Sequence, residues 1–236
     1  MTFLSLDAST KYSVLALSDE RGLIYGSRRL FEKRSSQGLM TLLMHCLKKT
    51  KLNLEEIDYF GVGVGPGSFT GLRIGLSTVK GLSYALHKRC FVFSSLDAIA
   101  FNQAPYQKNR LCVIVDAKRS NVYCRFYAMD FSRRLVWKTM RRETEDVLLP
   151  ITSLWKKIDG DIAFCGDALH LYKDEFVKRS GKAGHFQFIP QDFWYPTPES
   201  ISWLTREGFG EGKSFDCFGL SAVYLYEQDC QVRKIC

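Results

Sequence analysis

A glycine-rich loop followed by hydroxyl residues is the part of this sequence with the clearest potential for chemistry. It reads GVGVGPGSFTGLRIG, with a turn at residues 65–68. Backbone amides at the start of the helix that follows could hold an anion. The two standard nucleotide motifs fail, however, because no lysine follows Gly67 or Gly71 as in a P-loop, and no GxGxxG spacing fits the glycines. The glycine loop is therefore the only feature of the sequence that supports anion binding at this place.

Other catalytic patterns are missing from the sequence. The four histidines include no HExxH pair, so no metal site on a helix is predicted. No serine lies in a GxSxG elbow, which leaves no support for a peptidase. The eight cysteines include no CxxC pair, and several lie in apolar runs. This pattern indicates reduced, buried thiols of a cytosolic protein.

The glycine loop joins a predicted strand to a predicted helix. Residues 59–64 are rich in β-branched and aromatic side chains, which is typical of a buried strand. Ser68 or Thr70 can cap the helix by accepting a hydrogen bond from a free backbone amide. Apolar residues then recur at three- and four-residue spacing, as a helix requires: Leu72, Leu76, Val79, Leu82 and Leu86.

The glycines inside this helix need an explanation, because each costs about 1 kcal/mol relative to alanine. They are Gly71, Gly75 and Gly81. One explanation is local: the helix lies close against its own sheet. The other is that a second backbone approaches a groove of small residues formed by Gly71, Gly75 and Thr78. The residues alone leave both explanations open.

The segment GPGSFTGLRIG resembles the signature of the TsaB (YeaZ) family, and the resemblance runs from LDAST near the start to AVYL near the end. Members are non-catalytic subunits in the bacterial synthesis of threonylcarbamoyladenosine on tRNA. The resemblance implies binding to a homologous catalytic (TsaD-like) subunit, with an ATPase (TsaE-like) subunit, for transfer to adenosine 37 of tRNA. Two positions depart from the pattern: Ser35 replaces a frequent histidine, and Val64 replaces a frequent arginine.

The same resemblance implies partner contacts on the glycine helix and on the helix before it. The residues so predicted are Gly71, Arg73, Ile74, Gly75, Thr78, Leu82, Leu39 and Leu43. The free chain is also expected to be capable of forming a homodimer. A vestigial nucleotide site is predicted at Asp7, Ser9, Gly65, Gly67 and Ser68. No tightly bound cofactor is implied, and ATP or ADP is expected only in the complex.

The opening strand–turn–strand pattern resembles the first meander of the actin, hexokinase and Hsp70 ATPase superfamily. In that superfamily an aspartate after the first strand helps to organise the metal and phosphates of ATP, and Asp7 matches its position. The alternative is that Asp7 only closes an Asx-type turn with Ser9 or Thr10. The second turn, DAKRSN from Asp116, has no glycine that would let backbone amides approach a phosphate. Its sequence argues against a working ATP clamp.

The order of predicted elements indicates an α/β fold of this ATPase superfamily, with two RNase H-like subdomains. Each subdomain would hold a mixed sheet flanked by helices. Residues 1–104 form the first and residues 105–217 the second, with the boundary at the polar stretch APYQKN. Residues 218–236 are expected to return to the first subdomain.

Composition agrees with a globular protein of 236 residues, 46% hydrophobic and 25% charged. No run of 18 apolar residues is present, and the N-terminus lacks a basic start, so a cytoplasmic protein with no membrane partner is expected. The net charge of +8 can support salt-sensitive binding of tRNA, for example at Lys48, Lys49 and Lys51. Two other functions remain open: a stand-alone ATP-dependent kinase that uses Asp7 and Asp116, and a glycoprotease-like interaction protein.

Overall fold

Two mixed β-sheets flanked by helices make up the computed structural model, which describes residues 1–30, 36–102, 104–130, 140–181, 183–213, 221–223 and 225. The strands are β1 (Thr2–Asp7), β2 (Tyr12–Asp19), β3 (Leu23–Leu30), β4 (Tyr59–Gly63), β5 (Arg89–Phe93), β6 (Arg110–Lys118), β7 (Asn121–Ala128), β8 (Arg141–Arg142), β9 (Val147–Pro150), β10 (Ile162–Cys165) and β11 (Phe186–Phe188). The helices are α1 (Ser36–Thr50), α2 (Phe69–Leu86), α3 (Ser95–Ala100), α4 (Ile151–Leu154), α5 (Leu169–Arg179) and α6 (Pro198–Gly210). Ser35 lies outside the described residues.

The first sheet has the strand order β3-β2-β1-β4-β5. Strands β1, β2 and β3 form an antiparallel meander, and β4 and β5 add to β1 in parallel. Strand β1 is almost wholly buried because helices cover both faces of the sheet. Leu4 and Leu6 face the core beneath α1 and α2, whereas the hydroxyl of Ser5 faces α6 and donates to Oγ1 of Thr205 at 2.8 Å.

The second sheet repeats this architecture. Its order is β11-β10-β6-β7-β8, and β9 pairs with β7. Strands β6 and β7 are antiparallel, while β10 and β11 extend the sheet in parallel. Helix α5 packs on it through Phe176, which is fully buried against Phe164 of β10. The predicted α/β fold of two RNase H-like units with mixed sheets is confirmed.

Helix α6 follows the second sheet in the sequence but packs on the first. It contacts all five strands of the first sheet, and two glycines permit this closeness. A Cβ atom at Gly61 would lie 1.9 Å from Oγ1 of Thr205, and one at Gly208 would lie 2.4 Å from the ring of Phe91. The predicted return of residues 218–236 stays a prediction, although the amide of Val223 donates to the carbonyl of Val64 at 2.9 Å.

A buried ion cluster joins α3 of the first half to the second sheet. Asp97 accepts hydrogen bonds from Nη1 of Arg125 at 2.9 Å, from the hydroxyl of Tyr127 at 3.0 Å and from Nε of Arg142 at 2.8 Å. The side chain of Arg125 is only 7% exposed and also pairs with Asp146 at 3.0 Å. Buried charges are tolerated only when they are paired in this way. The cluster therefore holds the two halves in a fixed relation at this point.

Asp146 gives the cluster a testable dependence on pH. Burial raises the pKa of Asp146 from 3.8 to about 6, although the charge of Arg125 opposes this shift. The folded protein therefore keeps a proton that the unfolded chain releases as the pH rises above 3.8. The resulting stabilisation is fully present below that pH and is lost as the pH rises through about 6.

The free energy of unfolding, relative to that of an Asp146→Asn variant that cannot ionise, should fall between these two pH values and then stay level. Urea unfolding at a series of pH values measures this difference. An NMR titration of the Asp146 carboxyl with a midpoint near its ordinary value would contradict the expectation.

Candidate functional site

A cleft of about 650 Å³ lies between the two halves. One wall consists of the β1–β2 turn and the glycine loop before α2, and the other consists of the β6–β7 turn and the start of α5. Polar side chains on these walls include Ser9, Thr10, Lys11, Ser68, Asp116 and Asp167. The cleft is large enough for a small ligand.

The glycine loop connects β4 to α2 in the way that the sequence predicts. Strand β4 ends at Gly63, and α2 begins at Phe69. The hydroxyl of Ser68 accepts a hydrogen bond from the amide of Gly71 at 3.3 Å, so the predicted cap is confirmed for Ser68. This cap sets the start of the helix at the edge of the cleft.

The β1–β2 turn lies directly on this loop, and three glycines make the contact possible. A Cβ atom at Gly63 would lie 1.9 Å from the carboxylate of Asp7. At Gly67 and Gly71 it would meet carbonyl oxygens of the turn at 2.3 Å and 1.9 Å. No side chain fits at these distances. At Gly71 the local explanation for a glycine in the helix is therefore the correct one.

Asp7 is fully buried at the centre of this contact. It accepts hydrogen bonds from the amide of Ser9 at 2.9 Å, from the hydroxyl of Ser9 at 2.7 Å and from the hydroxyl of Ser95 at 2.7 Å. Burial raises the pKa of Asp7, and the hydrogen bonds from the two serines oppose this shift. The geometry is the Asx-type turn that the sequence offered as one of two interpretations of this residue.

Two amides of the glycine loop also form hydrogen bonds within the protein. The amide of Ser68 donates to the carbonyl of Ser9 at 2.6 Å, and the amide of Gly65 donates to the hydroxyl of Ser95 at 3.2 Å. The structure thus brings together the residues predicted for a nucleotide site. Several of them, however, form hydrogen bonds with one another. Nucleotide binding by Asp7, Ser9, Gly65, Gly67 and Ser68 stays a prediction.

The opposite wall holds two aspartates. Asp167 accepts a hydrogen bond from the amide of Asp116 at 3.0 Å, and burial raises the pKa of Asp167. Asp116 pairs with both the amide and the ammonium group of Lys118. The turn has no glycine, and Lys118, Arg119 and Ser120 all adopt positive φ angles of 65°, 52° and 58°. Three consecutive residues with side chains in this region are strained.

Asp167 and Tyr195 are cleft residues that the sequence analysis missed. Asp167 follows β10, and Asp116 lies near the end of the neighbouring parallel strand β6, so knowledge of the strand order would have predicted their proximity. The ammonium group of Lys11 lies 4.8 Å from the centre of the Tyr195 ring, and a hydrogen bond to Tyr195 raises the pKa of Lys11. No pattern in the sequence links these two residues, which lie on different halves.

The predicted partner residues divide into two groups. Gly71 and Gly75 are buried and face the sheet, with a Cβ atom at Gly75 lying 3.8 Å from that of Ala8. Leu39 and Leu43 are fully buried in the core beneath α1. Packing within the chain accounts for these four residues, and their contact with a partner stays a prediction. The accessible members are Arg73, Ile74, Thr78 and Leu82.

The sequence analysis also missed exposed apolar residues on the outer side of α1 and α2. Met40 is 39% exposed, Met44 is 60% exposed and Tyr84 is 62% exposed. Helical spacing predicts which residues share a face but not which face is buried, and Leu39 and Leu43 lie on the buried face of α1. If the most continuous apolar row of α1 had been assigned to the core, the neighbouring Met40 and Met44 would have been left on the exposed side.

The described part of the chain offers neither a metal centre nor a membrane-spanning helix. Its His, Cys, Asp and Glu side chains form no group of three that could hold a metal ion. Among its helices, none is both long and apolar enough to cross a membrane.

The fold and the cleft define a class of protein with two RNase H-like units, in which a glycine loop of the first unit forms part of the cleft wall. The family model described as "TsaD: tRNA N6-adenosine threonylcarbamoyltransferase" matches residues 29–174, and the chain belongs to this family.

Individual relatives confirm the resemblance to the TsaB (YeaZ) family. The tRNA threonylcarbamoyladenosine biosynthesis protein TsaB of Escherichia coli is 26% identical over 95% of this chain and 94% of its own length. TsaB of Bacillus subtilis is 25% identical over 100% of this chain and 98% of its own length. The structure of YeaZ from Pseudomonas aeruginosa has a TM-score of 0.74 at 24% identity, over 95% of this chain and 99% of the other. That structure supports the fold.

Two glycines of α2 offer a matched test of which face packs inside the chain. Gly75 is buried, whereas a side chain at Gly81 would meet no atom within 4 Å. Gly75→Arg should destabilise the protein by several kcal/mol or prevent folding, because it buries an unpaired cation. Gly81→Arg should stabilise α2 by about 0.8 kcal/mol through helix propensity. Urea unfolding followed by circular dichroism measures both, and equal stabilities would show that Gly75 does not face the interior.

Proposed function

We propose that this chain is a non-catalytic subunit that binds a homologous catalytic (TsaD-like) subunit. With an ATPase (TsaE-like) subunit it supports threonylcarbamoyl transfer to adenosine 37 of tRNA, and it meets tRNA through the complex. The names of its relatives place them in threonylcarbamoyladenosine biosynthesis, and its family model is that of the transferase. One observation supports the non-catalytic role above all. Asp7 and the amides of Gly65 and Ser68, which lie at the glycine loop, form their hydrogen bonds within the protein.

A group that takes up a metal ion, a phosphate or a proton during turnover needs free lone pairs and access to the substrate. Asp7 lacks access because it is fully buried, and three of the roughly four lone-pair sites of its carboxylate already accept hydrogen bonds from two serines. On the other wall, Asp116 is paired with Lys118. The two aspartates expected to act in a kinase are therefore engaged in contacts within the chain, which favours a role in assembly.

The outer side of α1 and α2 is the surface that we assign to the catalytic subunit. The two helices pack against each other on one face of the first sheet. Met40 and Met44 lie one turn apart on α1, and both are exposed. On α2 the half-buried residues Ile74 and Leu82 continue the apolar surface. Exposed apolar side chains grouped in this way are typical of protein interfaces. The same surface would join two copies when the partner is absent.

A matched pair of substitutions tests this surface. Met44→Glu should leave the free chain folded, because the side chain is 60% exposed. In the complex it would bury a carboxylate, and the dissociation constant should rise at least tenfold, or about 1.4 kcal/mol. Val177→Glu on α5, where the valine is 51% exposed, is the control and should bind normally.

The measurement is coexpression with the homologous catalytic subunit, followed by size-exclusion chromatography and assay of modified tRNA. Normal complex formation by Met44→Glu would exclude the outer side of α1 from the interface.

A stand-alone ATP-dependent kinase is the second candidate, and the cleft volume of about 650 Å³ is the observation that favours it. Our proposal predicts that the purified chain releases no phosphate from ATP, with or without small alcohol acceptors. Asp7→Asn keeps the shape of the side chain and is the matched control for contaminating activity. Turnover by the wild-type chain that disappears in Asp7→Asn would establish the kinase instead.

A further inference from the structure

The two helices on the outer side of the first sheet contain no carboxylate. Helix α1 (Ser36–Thr50) and helix α2 (Phe69–Leu86) together span 33 residues without Asp or Glu. In contrast, α5 carries Asp174 and Glu175, and α6 carries Glu199 and Glu207. The cations of the two acid-free helices are Lys48, Lys49, Arg73 and Lys80. Within these two described helices, exposed apolar residues therefore occur together with cations and without carboxylates.

Helix electrostatics accounts for two of these cations but not for the other two. Lys48 and Lys49 lie in the last turn of α1, where the negative end of the helix dipole stabilises a cation. Arg73 is the fifth residue of α2 and lies beyond the first turn, in which the dipole acts most strongly. Lys80 lies two turns further along the same helix. The helix dipole therefore does not favour a cation at Arg73 or Lys80.

The partly exposed ring of Phe69 positions the guanidinium group of Arg73 at the surface. Its guanidinium group lies 3.8 Å from the centre of the Phe69 ring, and Phe69 itself is 37% exposed. An arginine that stacks on an aromatic ring loses less freedom when it then binds a carboxylate. The half-buried Ile74 follows it directly, so charge and apolar surface adjoin on α2.

We propose that the α1–α2 surface binds a protein whose matching face is apolar at its centre and acidic at its rim, and that Arg73 and Lys80 steer this association. The inference rests on the proposed function and adds the charge of the partner face. Opposite charges at a rim accelerate association, and like charges exclude wrong partners. A phosphate backbone would gain nothing from Met40 and Met44, and so the observations favour a protein over RNA.

The test uses the homologous catalytic subunit from the same cell as the probe. Its association with the full-length chain is followed by stopped-flow fluorescence at about 25 mM and about 300 mM salt, since salt screens exposed charges. The R73E/K80E variant should associate about tenfold more slowly than wild type at low salt, and the difference should shrink at high salt. Dissociation should change less than twofold, or about 0.4 kcal/mol.

Two further variants complete the design. K173E/K178E on α5 makes the same change of charge away from the surface and should associate like wild type. R73Q/K80Q removes the charges without reversing them and should give an intermediate rate, which keeps the test valid if the reversal impairs folding. Circular dichroism checks that each variant is folded.

The possible outcomes distinguish a failure of this inference from a failure of the proposed function on which it rests. A wild-type complex that forms at a rate independent of salt, or that forms equally fast with R73E/K80E, would overturn the charge assignment and leave the proposed function standing. The same holds if the reversal weakens only the binding of tRNA by the assembled complex. Absence of any wild-type complex at both salt concentrations would overturn the proposed function and this inference together.

Discussion

The close contact between the β1–β2 turn and the glycine loop is the constraint on which the rest of the first half depends. Gly63, Gly67 and Gly71 leave no room for side chains because the turn occupies that space. Asp7 then joins the turn to α3 through the hydroxyl of Ser95. Because the loop is held in this way, α2 starts at a fixed point and lies flat on the sheet. One face of α2 is buried by this packing, and the opposite face is accessible for contacts outside the chain.

A second set of contacts fixes the walls of the cleft relative to each other. Asp97 of α3 is bound by residues of β7 and β8, and α6 crosses from the second sheet onto the first. A cleft that opens and closes around a ligand needs contacts between its halves that can be exchanged. Removing one partner of a buried ion pair is costly. The buried cluster at Asp97 therefore favours a rigid frame, which agrees with the assembly role that we propose.

Much of the fold could be predicted from the sequence, whereas the direction of individual faces could not. Alternation and helical spacing located the meander, the glycine loop and α2, and Ser68 was identified as a cap. Spacing tells which residues share a face, but not what covers that face. For this reason Leu39 and Gly75 were assigned to a partner although they are buried, and Met44 was overlooked. Asp167 was missed because its proximity to Asp116 depends on the pairing of β10 with β6, which the sequence does not specify.

The glycine loop shows that a motif typical of phosphate binding can also be required for packing within the chain. In a protein that binds phosphate, glycines in such a loop let backbone amides approach the ligand. In this chain the same small residues let the protein's own turn approach, and the amides of Gly65 and Ser68 bond to Ser95 and Ser9. Replacing any of the three crowded glycines would disrupt the core whether or not a nucleotide ever bound. Packing alone is thus sufficient to require the motif, and this is why our proposal places the partner contact on the outer side of the helix that the motif positions.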